Sequence, residues 1–266
     1  MRIVNLGSGS KGNCTFLQTK NAKILLDVGF SLSELTKRLK NIGETPENID
    51  AIIITHEHSD HIKGLCAFLK KYNPKCFIHK DIVSDCLKDL QGRNIDKVIE
   101  ISEYAFSVGD VRIMPYLLPH DSKVCLGFVF SVGGKKISIA TDLGYMPENM
   151  LDAMNGSDLV FIESNHDKKM LMGCMYPYIV KQRIISDHGH LSNDQAADII
   201  VKLAKNGTRY FVLSHLSENS NTPEQAYLTS AKALENAGFI LEKDVYLRYS
   251  RQDKNGNNFY FSESED

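Results

Sequence analysis

The stretch His56-Glu57-His58-Ser59-Asp60-His61 decides the fold of this chain, and it follows directly on the apolar run Ala51-Ile52-Ile53-Ile54. It gathers three of the nine histidines of a 266-residue chain within six positions. The apolar run has the composition of a buried strand. Residues 59–72 repeat apolar side chains at helical spacing and predict a helix. Because packing gives no reason for three histidines and two acids at the mouth of a strand, we predict a metal-binding junction there.

The spacing inside this cluster divides its ligands into two pairs. In an extended chain, residues two apart point to the same side. His56 and His58 can therefore reach one metal ion. Asp60 and His61 lie past the turn, at the start of the next helix, and can reach a second metal ion nearby. Four side chains cannot fill two sites, so further ligands must come from other segments.

Three further side chains of ligand type each follow a predicted strand, which is where active-site residues concentrate in α/β proteins. They are His120 after 113–118, Asp142 after 135–141, and His215 after 210–214. All seven candidates are imidazoles or carboxylates, with no thiolate. That set suits zinc, manganese or iron, and the sequence leaves the choice among them open.

Strand-like and helix-like segments alternate along the whole chain, which predicts an α/β fold. Strands are predicted at residues 2–6, 15–18, 22–27, 50–55, 105–108, 111–118, 127–132, 135–141, 159–163 and 210–214. Helices are predicted from residue 31 onward and at 59–72, 193–204 and 223–237. No repeat or linker divides the chain. We therefore predict one domain over residues 1–266, with a short acidic tail at 262–266.

Composition restricts the class and the compartment. A net charge of −2 argues against a generally basic protein that coats nucleic acid. The N-terminus has no apolar signal segment, and no apolar run is long enough to span a membrane. The six cysteines are scattered, which is typical of free thiols in a reducing compartment. We expect a cytoplasmic protein without a membrane attachment.

The order of the acidic and histidine residues along the chain resembles that of the metallo-β-lactamase superfamily. Its markers are an aspartate after an early strand, then the HxHxDH element, and then His, Asp and His. Here they are Asp27, the 56–61 cluster, His120, Asp142 and His215. The resemblance spans nearly the whole chain. It implies a four-layer αββα sandwich with the metals at one edge.

The resemblance also implies how the ligands divide. His56, His58 and His120 would hold one metal ion. Asp60, His61 and His215 would hold the other, and Asp142 would bridge the two. Asp27 would orient ligands without binding metal.

Finer features resemble the YycJ/WalJ group of that superfamily, whose members are described as 5′-to-3′ DNA exonucleases. The segments that carry this resemblance are 7–14 (GSGSKGNC), 163–167 (ESNHD), 189–193 (GHLSN) and 213–217 (LSHLS). The implied activity is a two-metal phosphodiesterase acting on DNA ends. A hydroxide held between two metals about 3.5–4 Å apart would attack phosphorus in line.

Catalytic and substrate-binding residues can also be proposed. Asp60 and His190 are the candidate catalytic residues. His190 stands near a predicted helix N-terminus, which favours anions, so it could contact a phosphate or protonate a leaving oxygen. Ser10, Lys11 and Asn13 form a loop whose amides and ammonium group could contact a phosphate.

One rival function stays open, namely a hydrolase of a thioester, a lactone or a small phosphodiester on the same fold, because fold does not fix substrate. Only about 70 residues separate Asp142 from His215, which leaves no room for the large clamping insertion of β-CASP nucleases. The core domain would therefore grip DNA alone, or with help from a second copy in a homo-oligomer.

Overall fold

The computed structural model describes residues 1–90 and 96–262, so all of the predicted acidic tail except Ser262 lies outside the described residues. The strands in the first part of the chain are β1 (Arg2–Gly7), β2 (Cys14–Gln18), β3 (Lys23–Leu26), β4 (Ala51–Ile53), β5 (Lys75–His79) and β6 (Val98–Ile101). The later strands are β7 (Phe106–Val108), β8 (Val111–Leu118), β9 (Cys125–Val132), β10 (Lys135–Ala140), β11 (Leu159–Glu163), β12 (Tyr210–Ser214), β13 (Tyr246–Tyr249) and β14 (Asn258–Tyr260).

Within the described ranges these strands form two seven-stranded mixed sheets. The first has the order β14-β1-β2-β3-β4-β5-β6, and the second has the order β13-β12-β11-β10-β9-β8-β7. Each sheet joins an antiparallel part to a parallel part. The strands from β3 to β6 are parallel neighbours, and so are those from β10 to β13. The two sheets are therefore built alike, the first from β1 to β6 with the C-terminal strand β14 at its edge, and the second from β7 to β13.

Nine α-helices are described. They are α1 (Leu32–Lys40), α2 (Ser59–Ile62), α3 (Leu65–Tyr72), α4 (Val83–Cys86), α5 (Glu148–Met154), α6 (Lys168–Gly173), α7 (Tyr178–Ile185), α8 (Asn193–Lys205) and α9 (Pro223–Asn236). Of these, α1 and α3 cover the outer face of the first sheet, and α5, α8 and α9 cover that of the second. The predicted capping box at the start of α8 is present, since Ser192 and Gln195 bond each other's backbone N–H groups. Across residues 1–90 and 96–262, no helix combines the length and apolarity needed to cross a membrane.

Three hydrophobic clusters show how the elements are layered. One lies between the two sheets and includes Phe128 of β9 and Ile24 of β3. A second joins the first sheet to α1 and α3, through Leu39 and Phe68. The third joins the second sheet to α5, α8 and α9, through Leu203 among others. Three interfaces define four layers, so the predicted αββα sandwich is confirmed.

The predicted helix over 59–72 is wrong as a single element, because it is broken between α2 and α3. Gly64 stands at the break, and its backbone N–H donates to the carbonyl oxygen of Val28 at 2.9 Å. A Cβ atom at this glycine would lie 2.2 Å from the carbonyl oxygen of Phe30. The chain that follows β3 thus passes so close that the helix must end there, and only glycine fits.

Candidate metal centre

Five strand ends meet at one edge of the sandwich. The chain leaving β3 and β4 in the first sheet carries Asp27 and the 56–61 cluster. The chain leaving β8, β10 and β12 in the second sheet carries His120, Asp142 and His215. His58 is extended and caps α2, whereas Asp60 and His61 lie in the first turn of that helix. This is the local geometry that the sequence predicts for the cluster.

Three of these strand-end residues adopt a left-handed backbone that is uncommon outside glycine. The φ angles are 63° at Asp27, 65° at Asp142 and 53° at His215. Such a residue costs about 1–3 kcal/mol and persists only where its surroundings hold it. Of the five described non-glycine residues with a positive φ, these three meet at one edge of the sandwich, whereas Asn73 and Glu242 lie elsewhere.

One group of candidate ligands consists of His56, His58 and His120. Their ring nitrogens all lie within 4.8 Å of one another. His58 Nδ1 is 3.3 Å from His120 Nε2. His56 is completely buried, and its Nε2 has no hydrogen-bond partner among the described residues.

A second group consists of Asp60, His61 and His215, whose ligand atoms also lie within 4.8 Å of one another. Asp60 Oδ2 is 3.6 Å from the Nε2 atoms of both histidines. His215 Nε2 is buried, and the described part of the chain offers it no hydrogen-bond partner. Both groups draw ligands from both sheets.

The Asp142 carboxylate stands between the two groups. Its Oδ2 is 3.4 Å from His61 Nε2, and its Oδ1 is 4.0 Å from His120 Nε2. Oδ2 is buried without a hydrogen bond to any described residue. Buried polar atoms are normally satisfied, because leaving one unpaired costs free energy. Orphaned acceptors in both groups and on the carboxylate between them fit a pair of divalent cations.

Contacts around the ligands fix which imidazole nitrogen faces the site. The Nδ1 of His61 lies 2.7 Å from Asp27 Oδ2, and the Nδ1 of His120 lies 3.2 Å from the carbonyl oxygen of Gly189. These oxygens only accept, so in the neutral form of each imidazole Nδ1 carries the proton and Nε2 holds the lone pair that a metal would use. Asp27 is held in turn by the N–H and hydroxyl groups of Thr55, each at 2.9 Å. The predicted orienting role of Asp27 agrees with this geometry.

Glu163 is a site residue to which the sequence analysis assigned no role. It ends β11, is fully buried, and its Oε1 accepts from the Nδ1 atoms of His215 and His190, each at 2.8 Å. Its Oε2 accepts from the backbone N–H groups of Leu143 and Leu191. Glu163 stands at the end of a predicted strand, as a polar residue of ligand type. The same pattern pointed to His120, Asp142 and His215, so it was a signal for Glu163 as well.

The electrostatics differ between the two groups. Burial opposes protonation of His61, but Asp27, Asp142 and Asp60 outweigh burial and raise the pKa of His61 to about 9. At His56, burial and the neighbouring histidines act together and hold the pKa well below its usual range. Burial favours the neutral form of Asp60, yet the close contact with His215 and the charge of His61 keep its pKa low. The second group is thus rich in negative charge that a cation would neutralise.

Ser10, Lys11 and Asn13, the predicted substrate-binding residues, do not face one common surface. Asn13 is buried, and its Nδ2 lies 3.2 Å from Asp60 Oδ2 and 3.0 Å from His61 Nε2. Lys11 points outward and forms an ion pair with Glu218. Ser10 is exposed. Within this loop, therefore, only Asn13 touches the candidate ligands.

The predicted catalytic histidine, His190, lies beside both groups. Its ring centroid is 5.1 Å from that of His120 and 5.2 Å from that of His215. Burial lowers its affinity for a proton, but the charge and hydrogen bond of Glu163 more than compensate and raise the pKa of His190. Glu163 therefore favours the protonated form of His190.

Comparison with known proteins agrees with this arrangement. Residues 22–216 match the family described as the β-lactamase superfamily domain. The exodeoxyribonuclease WalJ of Streptococcus pneumoniae is 34% identical over 238 residues, which cover 87% of each chain. The exodeoxyribonuclease YycJ of Bacillus anthracis is 32% identical over 88% of this chain and 89% of its own.

Among solved structures, the metallo-β-lactamase fold protein YhfI from Bacillus subtilis aligns with a TM-score of 0.73 at 15% identity, covering 97% of this chain and 98% of that one. The chain belongs to the metallo-β-lactamase superfamily. It is a metal-dependent hydrolase of that fold, with His/Asp clusters placed for metal binding.

Proposed function

We propose that this hydrolase is a two-metal phosphodiesterase that degrades DNA from its 5′ ends. The observation that carries the two-metal part is the position of Asp142, whose two carboxylate oxygens reach toward two separate ligand groups. DNA as substrate is supported by the similarity to WalJ and YycJ, both named exodeoxyribonucleases. The 5′-to-3′ direction is what the resemblance of segments 7–14, 163–167, 189–193 and 213–217 implies.

In this proposal His56, His58 and His120 would hold one divalent ion, Asp60, His61 and His215 would hold the other, and Asp142 would be shared between them. Zinc, manganese and iron all suit a set of imidazoles and carboxylates. When bound, such a pair supplies a strong nucleophile at neutral pH and a Lewis acid for the phosphoryl oxygens. Asn13 donates from Nδ2 to Asp60 and so keeps that carboxylate turned toward the second group.

The protein's own acid would be His190. Glu163 binds the proton on Nδ1, so Nε2 is the nitrogen left to donate a proton to the leaving oxygen of the cleaved phosphodiester. The raised pKa favours the protonated form of His190, which is the form that a general acid needs. The same Glu163 oxygen orients His215, so one carboxylate positions both a ligand and the acid.

The test uses linear duplex DNA labelled at either the 5′ or the 3′ end, with purified protein loaded with manganese or zinc. We expect release of 5′-terminal nucleotides, and resistance when the 5′ end carries phosphorothioate linkages. Asp142→Ala should abolish release and lower the bound metal. Asp152→Ala, at an exposed position on α5, is the matched control and should behave as wild type.

Two outcomes would overturn the proposal. Release from 3′ ends alone would refute the direction. Rapid hydrolysis of thioesters or lactones by the metal-loaded protein, with no action on any nucleic acid, would favour the small-molecule hydrolase instead.

A further inference from the structure

One segment beside the metal centre has a composition unlike the rest of the chain. Residues 168–185, which comprise α6, α7 and their connection, are called the arm below. The arm contains Lys168, Lys169, Lys181 and Arg183 and no acidic residue, although the whole chain has a net charge of −2. Lys168 and Arg183 form ion pairs with Asp194 and Asp121, which lie outside the arm. Among the described residues, Lys169 and Lys181 form no ion pair and supply the positive charge of this surface.

The arm also exposes large apolar side chains. Met175 is 99% exposed, Ile179 78% and Tyr178 69%. In the part of the chain that the structure describes, α7 buries none of its side chains. Large apolar side chains exposed this close together in the chain point to an interaction site, because scattered single ones are what an ordinary surface shows.

Direct contacts attach the arm to both sides of the metal centre. Arg183 forms an ion pair with Asp121, the residue after His120. The carbonyl oxygen of Ile184 accepts from the backbone N–H of His190 at 2.9 Å. The hydroxyl of Tyr176 accepts from Asn219, four residues beyond His215, at 2.6 Å. Any long substrate that enters the centre from this side must pass the arm.

The base of the arm is closely packed. A Cβ atom on Gly189 would lie 2.2 Å from the carbonyl oxygen of Ile184. A Cβ atom on Gly144, two residues after Asp142, would lie 2.2 Å from the backbone of Asp187. The arm therefore presents its exposed side chains from a fixed position relative to the ligands.

We propose that the arm binds the nucleic-acid strand that leads away from the scissile phosphate. This inference rests on the proposed nuclease function and names the surface that grips the substrate. Tyr178, Met175 and Ile179 would contact unstacked bases, and Lys169 and Lys181 would contact phosphates. Aromatic and cationic groups side by side are the usual means of holding single strands without sequence preference.

The test compares an arm variant with a control variant elsewhere on the surface. The arm variant is Lys169→Glu with Tyr178→Ala and Ile179→Ala. Arg183 and Lys181 are left unchanged because both make contacts within the fold. Arg183 forms an ion pair with Asp121, and Lys181 donates to the carbonyl oxygen of Met172. The control is Lys205→Glu with Leu228→Ala, which removes an exposed cation and an exposed apolar side chain from α8 and α9. Lys205 lies about 18 Å along α8 from the helix start that follows His190.

Three measurements are made on metal-loaded protein. They are the affinity for a phosphorothioate oligonucleotide, the turnover of DNA, and the turnover of bis(p-nitrophenyl) phosphate. For the arm variant we expect at least tenfold weaker oligonucleotide binding, and at least a tenfold lower ratio of DNA turnover to small-diester turnover. The slope of log affinity against log salt should become shallower by about 0.7 for the one phosphate contact removed. The control variant should match wild type.

The outcomes separate this inference from the proposed function. If wild type cleaves neither DNA nor the small diester, the proposed function fails. If wild type cleaves DNA and the arm variant binds and cleaves it equally well, the arm inference is refuted. It is also refuted if the arm variant loses only binding to vesicles of anionic phospholipid, because the arm would then be a membrane-contacting surface.

Discussion

Replacing Glu163 by glutamine tests how the metal centre is held. The carboxylate accepts four hydrogen bonds, two from imidazole Nδ1 atoms at Oε1 and two from backbone N–H groups at Oε2. A glutamine of the same shape has only one oxygen. The backbone donors cannot change, so the oxygen must face them and the NH₂ group must face the imidazoles. His215 would then have to accept at Nδ1, which moves its proton to Nε2, the atom needed for metal.

The magnitude follows from this change of tautomer. Loss of a partner that orients a ligand typically weakens metal binding by about 10–100-fold. We expect that loss at the Asp60/His61/His215 group, together with loss of the acid function of His190. The Asp142 and His61 contacts remain, so the protein should stay folded.

The assay is a competition titration with a chromophoric chelator, run alongside nitrogen-15 NMR of the histidine rings. Glu235→Gln, at an exposed position on α9, is the matched control. Wild-type affinity for both metal equivalents in Glu163→Gln would refute the argument, as would an unchanged His215 tautomer.

Three further predictions concern packing, pH and proton transfer. Gly29→Ala should lower the free energy of unfolding, measured by chemical denaturation, by about 1–3 kcal/mol or more, because the new Cβ would lie 1.7 Å from the carbonyl oxygen of Asp60. The control is Gly173→Ala, whose Cβ would meet no atom within 4 Å and which should leave the free energy of unfolding unchanged. Since the pKa of His61 in the metal-free protein is about 9 rather than 6.5, metal binding must displace its proton, and affinity should rise about tenfold per pH unit from neutral pH toward pH 9. Over the same pH range the metal-free protein should lose stability. The protonated His61 stabilises the fold fully below pH 6.5, and this contribution is lost as the pH rises through about 9. Calorimetry measures the metal affinity and thermal melting at each pH measures the stability; a flat pH profile in either would contradict the pKa of His61. His190→Ala should lower kcat on DNA by about 10²-fold or more while bound metal stays constant, and a parallel loss of metal would show that the histidine acts as a ligand instead.

The candidate ligands could be located from sequence because two local signals coincided. His120, Asp142 and His215 are ligand types, and each follows an apolar run that predicts a strand. Strands of a sandwich end at common edges, so side chains far apart in sequence meet there. The HxHxDH spacing also predicted a turn from strand to helix between His58 and Asp60.

Two features could not be predicted from the sequence, because each depends on a close approach between segments that are distant in the chain. The break at Gly64 is imposed by the chain near Phe30, and no pattern within 59–72 reports that neighbour. Asn13 lies in a polar loop that resembles a surface turn, yet tertiary packing buries it against Asp60. Helices α6 and α7 were not predicted, because side chains that face solvent leave no hydrophobic periodicity to detect.

The sharing of each ligand group between the two sheets has a consequence for folding. His56, His58, Asp60 and His61 lie on the chain leaving the first sheet, whereas His120, Asp142 and His215 lie on the chain leaving the second. A bound ion would therefore cross-link the two sheets at the edge where they meet, and neither sheet alone carries a complete ligand group. A cation at 100 times its dissociation constant would add about 2.7 kcal/mol to the folded state. The metals would thus hold the two sheets together at this edge.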